Sequence, residues 1–438
     1  MSSAPLRDGE NDLQHKQMHE FKVRRGRLYC EGVPVDRMAK SVGTPVYIYS
    51  AQTLLDHFEK LQQAFRRIKP LICFSVKANS NLAILTLLVQ RGAGLDIVSG
   101  GELFKALRAG CPPNRIVYAS VGKRPEELRS ALRVGIFCFN VESVPELVAI
   151  NAQARRLGRV APVALRINPD VKAPTHRYIT TGTAESKFGI DLETVERLLL
   201  TRWHEFPSTR LLGVHLHIGS QITHAQPFVW AIQRVGSMIE RLRRHGVEIE
   251  WLNLGGGLGI VYKDERPQTA QAFAKAVLPR ILPLKVKLIL EPGRFIVGNA
   301  GILVAQVLYR KETRGKRFVV VDAGMNDLIR PALYGAYHEV VPVVQDSRRA
   351  TQECEVVGPI CESADVLASR RRLPALEPGE FVAVLGAGAY GFTMASNYNG
   401  RPRPAELLVK GTRYFVTRRR ETVQDLIRHE TIPRELLT

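Results

Sequence analysis

Eight short apolar runs separated by longer amphipathic segments constrain this chain more than any other feature. The runs are 71–77, 95–98, 116–119, 136–140, 163–168, 211–217, 249–254 and 286–290, each with the length and composition of a buried strand. Between them lie helical stripes. In 51–68, Leu54, Leu55, Phe58, Leu61, Phe65 and Ile68 recur at three- and four-residue spacing, and 81–90, 100–109, 125–134, 143–156, 191–201, 226–245 and 270–282 behave likewise. Strands alternating with helices predict a parallel α/β sheet, and eight is the number that closes a (β/α)8 barrel. After Glu291 the rhythm changes: 302–312, 316–322, 381–385 and 406–418 read as strands with little helix between them, as does 21–35. The expected organisation is a polar, mobile tail over 1–20, a barrel over 45–295, and a second, mostly β domain from 21–44 plus 296–438.

The 438 residues are too many for one ordinary domain but suit a barrel of about 250 residues with a second domain. No run of about 20 apolar residues predicts a membrane helix, and the polar N-terminus lacks the apolar stretch of a secretory signal. Cys30, Cys73, Cys111, Cys138, Cys354 and Cys361 form no CxxC pair and no cluster of metal-ligand spacing, so no metal site is expected and a reducing cytoplasm is. The net charge of +20 suits attraction of anionic small molecules; its arginine runs are short and carry no nucleic-acid motif.

Barrels of this kind carry their reactive groups at the C-terminal ends of the strands. The first run ends Phe74-Ser75-Val76-Lys77, and alternation puts Cys73, Ser75 and Lys77 on one face. A partly desolvated lysine there is an amine that can attack an aldehyde; the competing reading is a surface lysine at a strand end. The sixth run ends His215-Leu216-His217-Ile218-Gly219-Ser220. His217, nearer the mouth, can stack on a planar group, whereas His215 reads as a hydrogen-bonded core histidine. The seventh runs into Gly255-Gly256-Gly257-Leu258-Gly259, either a tight turn or a cradle of backbone N–H groups for phosphate; its spacing is not that of a dinucleotide site. The eighth ends Glu291-Pro292-Gly293-Arg294, a carboxylate that needs a partner beside a fork suited to carboxylates.

FSVKAN, HIGS, GGGLG and EPGR, in this order, resemble the fold type III pyridoxal 5′-phosphate (PLP) decarboxylases, over about residues 21–420. GLDIVSGGEL (94–103), ESKFG (185–189), DAGMNDLIRPALYGAYH (322–338), GPICESAD (358–365) and GAYGFTMASNYNGRPRP (388–404) are similar to the diaminopimelate decarboxylase branch of that family. The resemblance implies a TIM-like barrel with a β domain, as in alanine racemase and ornithine decarboxylase. The implied activity is decarboxylation of meso-diaminopimelate to L-lysine and CO2, the last step of lysine biosynthesis. It further implies that Lys77 holds PLP, His217 stacks on its ring and Glu291 pairs with the ring nitrogen. Ser220, Gly255, Gly256, Gly257, Gly293, Arg294 and Tyr390 would complete the cofactor site. Arg294, Arg330, Tyr334, Glu362 and Tyr390 would bind substrate. Cys361, the implied proton donor, and Glu362 would come from the partner subunit of a homodimer with shared active sites.

Three other functions remain to be weighed. A sibling decarboxylase of arginine, ornithine or carboxynorspermidine would be expected to differ at Arg330 and in the ESAD segment. A non-catalytic homologue acting as a binding protein would be expected to lose Lys77 or Cys361, and both are present. Nucleic-acid binding would show as a steep salt dependence of DNA retention.

Overall fold

The computed structural model describes residues 19–171 and 187–437. Most of the expected polar tail and the first two residues of ESKFG lie outside the described residues. The described residues fall into two compact units: one holds those up to Thr53, Tyr262–Asp264 and those from Gly298 on, the other Leu54–Val261 and Glu265–Val297.

The second of these units is a closed barrel. Its strands are Leu71–Ser75, Gly94–Ile97, Ile116–Tyr118, Cys138–Val141, Ala161–Asn168, Thr209–His215, Trp251–Asn253 and Lys287–Leu290. Every neighbouring pair is parallel, and the eighth strand pairs with the first (Ile289 opposite Leu71), which closes the ring. The apolar runs become strands because both faces are buried, one against the barrel interior and one against the helices. Cys73, Val117, Cys138, Ala164, Leu212 and Ile289 fill part of the interior. Gly213 is required in the sixth strand, since a Cβ there would collide with the carbonyl of Trp251. Ser99 and Ser143 start the helices after the second and fourth strands by accepting the backbone N–H groups of Glu102 and Glu146.

The other unit is mostly β. Phe21–Arg24, Arg27–Cys30 and Val33–Pro34 form an antiparallel meander, and Arg25 and Gly26, both at positive φ, make its first tight turn. A larger sheet is built on Gly301–Thr313, which pairs with Lys316–Val321, Phe381–Val384 and Val46–Ser50. Val46–Ser50 sits between that strand and Ala405–Lys410, so this wholly buried VYIYS run belongs to the β sheet although it lies past residue 45. The 406–418 segment is a hairpin, Ala405–Lys410 with Arg413–Arg418, turning at Gly411. Thr351–Val357 and Val366–Pro374 add an antiparallel pair that hydropathy did not reveal, because the latter carries three successive arginines. No helix among the described residues is long and apolar enough to cross a membrane.

Candidate active site at the barrel mouth

Lys77 lies in a single 3-10 turn, Val76–Ala78, directly after the first strand. Its Nζ donates to Asp96 Oδ2 at 3.3 Å, and Ser75 Oγ donates to the same oxygen at 2.6 Å. Asp96 stands on the second strand and is fully buried; its other oxygen meets no partner among the described residues. Burial and the nearby negative charge of Glu291 push its carboxyl up to about 6, against the pull of Lys77 and Ser75.

Glu291 behaves oppositely. Burial alone would raise it, but His215, Lys77 and Asn253 outweigh burial and hold the carboxyl at about 2. Its Oε1 accepts from Asn140 Nδ2 at 2.9 Å and Asn253 Nδ2 at 2.6 Å, and its Oε2 faces His215 Nε2 at 3.1 Å. The two carboxylates are thus shifted in opposite directions, Glu291 toward the anion and Asp96, beside Lys77, toward the protonated form.

The turn after the seventh strand packs tightly on its neighbours. Gly255 and Gly257 have positive φ, and a Cβ on Gly257 would lie 2.5 Å from the carbonyl oxygen of Gly219. The Gly256 N–H donates to His217 Nδ1 at 3.3 Å, which fixes the remaining imidazole proton on Nε2. Burial, then Arg166 and Lys77, hold His217 well below the usual imidazole range, so the ring is neutral. Arg294 Nη2 donates to Ser220 Oγ at 3.0 Å, joining the sixth and eighth strand ends. A Cβ on Gly293 would lie 2.9 Å from Ala78 Cβ, so this glycine lets the eighth strand end approach the turn of Lys77. The barrel mouth thus gathers Lys77, His217, Ser220, Gly255, Gly256, Gly257, Glu291, Gly293 and Arg294 from four strand ends.

Glu102, at the start of the helix after the second strand, accepts the Val98 N–H at 2.8 Å, yet burial pushes its carboxyl up to about 7. Between pH 4.5 and 7 the folded chain therefore keeps a proton that the unfolded chain has released. The contribution of Glu102 to stability is complete below about 4.5 and is lost as pH rises through 7. Glu102→Gln, which keeps an acceptor for Val98 but cannot ionise, is expected to raise the unfolding midpoint at pH 8 and leave it nearly unchanged at pH 4.5. Each 1 kcal/mol gained moves it by roughly 2–4 °C. Thermal unfolding at the two pH values checks this; equal shifts would contradict it.

The remaining expected residues lie in the β unit. Arg330 opens the short helix Arg330–Tyr334, and its Nε donates to His338 Nε2 at 3.2 Å while its guanidinium lies 4.8 Å from the Tyr262 ring centroid. His338 Nδ1 faces the carbonyl of Leu385 at 2.8 Å and must carry the proton, which leaves Nε2 as acceptor for Arg330. Tyr390 is held at φ 56°, an uncommon conformation for a bulky residue. Cys361 is exposed while the other five cysteines are buried. Its N–H donates to Asn399 Oδ1 at 2.8 Å, and Tyr398 Oη donates to Glu362 Oε2 at 2.8 Å. Asp365 fixes the base of this loop by accepting the N–H groups of Ile360 and Met325 at 2.7 and 2.6 Å.

Motif reading missed Asp96, Asn140 and Asn253, each a lone polar residue on a buried strand. Asp96 was visible as a charge inside the apolar run LDIV.

Residues 51–298 match the family model for the pyridoxal-dependent decarboxylase, pyridoxal binding domain. A Pseudomonas fluorescens diaminopimelate decarboxylase is 47% identical over 416 residues, 95% of this chain and 99% of that protein. A solved diaminopimelate decarboxylase from Helicobacter pylori, complexed with L-lysine, superposes with a TM-score of 0.87 at 40% identity, covering 90% of this chain and 98% of that one. The enzyme of the same name from M. jannaschi gives 0.91 at 37%, covering 97% and 100%.

Proposed function

The chain belongs to the diaminopimelate decarboxylases within the pyridoxal-dependent decarboxylase family, and we infer from this that it converts meso-diaminopimelate to L-lysine and CO2 as the last step of lysine biosynthesis. The observation that carries the reading is the meeting of Lys77 with Asp96 at the same barrel mouth as the glycine turn, Ser220–Arg294 and the hydrogen-bonded Glu291. The donor chemistry there fits PLP. An amine suits its aldehyde, a neutral imidazole suits the face of a cationic ring, and a carboxylate ionised down to about 2 suits a protonated ring nitrogen. Bound PLP supplies an electron sink for the bond that breaks as CO2 leaves.

The residues divide the remaining tasks. Lys77 holds the cofactor through its amine, and Asp96 Oδ2 holds or returns the proton that this amine exchanges. Ser220, Gly255, Gly256 and Gly257 would bind the phosphate, with Gly293, Arg294 and Tyr390 completing the cofactor site. His217 would stack on the ring, and Glu291 would pair with its nitrogen and favour the charged form. Arg294, Arg330 and Tyr334 grip the substrate's second carboxylate, so that binding energy orients the bond to be broken. Cys361 Sγ delivers a proton to the carbon that loses CO2, and Glu362 contacts substrate. We assign both to the partner subunit's site in a homodimer, working in the cytoplasm, where six unpaired thiols stay reduced.

Steady-state CO2 release from meso-diaminopimelate, arginine and ornithine, with and without added PLP, tests the assignment. Turnover confined to meso-diaminopimelate and dependent on PLP is expected. Preference for arginine or ornithine would make the chain a sibling decarboxylase, and no turnover on any of them would contradict catalysis.

A further inference from the structure

Glu291 is unusually well supplied with donors for a residue expected to meet a ligand. A carboxylate accepts about four hydrogen bonds, and three are already taken from within the barrel. Asn140 on the fourth strand and Asn253 on the seventh both donate to Oε1, and His215 on the sixth faces Oε2. All four residues are buried, with His215 only 1% exposed. The imidazole makes no second hydrogen bond, since its Nδ1 meets no partner among the described residues. A bare nitrogen in a core costs free energy. A leucine would fill the site without that cost, so the histidine earns its place through the one bond it does make.

We propose that His215 is a positioning residue for the cofactor: with the two asparagines it orients Glu291 and leaves one acceptor direction, on Oε2, for the ring nitrogen. The proposal rests on the reading above that Glu291 meets that nitrogen. Outer partners that orient a liganding group commonly change affinity by 10–100-fold when lost. The asparagines fix one oxygen; the histidine alone among the three fixes the other. Without it the carboxylate can turn about its Cγ–Cδ bond, and Oε2 loses the contact that His215 makes with it.

The test uses holoenzyme loaded with PLP labelled with 15N in the ring, in the wild type, His215→Leu, His215→Gln and Glu291→Gln. Four quantities are read: the 15N shift, the PLP dissociation constant, kcat and KM. His215→Leu is expected to move the 15N shift toward the unprotonated ring, weaken PLP binding about tenfold, and lower kcat more than it changes KM. His215→Gln, which retains an N–H donor at similar reach, is expected to restore most of each. Glu291→Gln is expected to shift the 15N signal furthest. If His215→Leu leaves both shift and affinity at wild-type values while Glu291→Gln moves them, the role of His215 is refuted and that of Glu291 stands. If Glu291→Gln leaves the shift in place, the underlying assignment fails and takes the proposal with it. Should the leucine variant not fold, His215→Asn, polar but too short to reach Glu291, replaces it with the same readouts and the same criteria.

Discussion

Lys77→Ala is expected to stop CO2 release from meso-diaminopimelate, a loss on the order of 10⁴–10⁶-fold, and to remove the near-visible absorbance of the bound cofactor. The size follows from the position of the amine. No other lysine donates to Asp96 among the described residues, and burial raises the Asp96 carboxyl to about 6. Lys77→Arg separates charge from nucleophilicity, because it keeps a cation for Asp96 and forms no bond to an aldehyde. It should be as inactive as the alanine variant while retaining more PLP. Near-normal turnover by either variant, measured with added PLP, would remove the basis of the mechanism.

Mixing two dead enzymes should produce a live one. Lys77→Ala and Cys361→Ala homodimers are each expected to be nearly inactive. If each site takes its lysine from one subunit and its cysteine from the other, a mixed dimer has one site with both defects and one with neither. Random reassociation at equal amounts makes half the dimers mixed, each with one competent site in two, so about a quarter of wild-type activity returns. The activity should appear with the kinetics of subunit exchange. A mixture that stays inactive although mass measurements show mixed dimers would place both groups in one chain's site and refute the shared arrangement.

Much of this site could be read from sequence because barrel strands put their chemistry at one end. FSVK, HIGS, GGGLG and EPGR each close a strand or follow one directly, and their residues converge without knowledge of any long-range contact. Contacts between polar residues buried within the barrel were not legible. His215 is indeed a buried, hydrogen-bonded histidine, but its partner is Glu291, 76 residues on, reached across the intervening seventh strand. Asn140 and Asn253 have no motif to announce them, and Asp96 lies within GLDIVSGGEL with no sign of its partners; only the closure of the ring brings them together. In the β unit, the alternating glutamates of Thr351–Val357 and the three successive arginines of Val366–Pro374 hid this pair, since hydropathy cannot distinguish a half-exposed strand from a polar loop.

The bond from Arg330 Nε to His338 has a bearing on molecular shape as well as on charge. With Nε engaged by the imidazole, the side-on edge of the guanidinium that pairs Nε with one Nη is closed to any visitor. In the role proposed for Arg330, a substrate carboxylate would thus have to approach the guanidinium from a direction other than this edge.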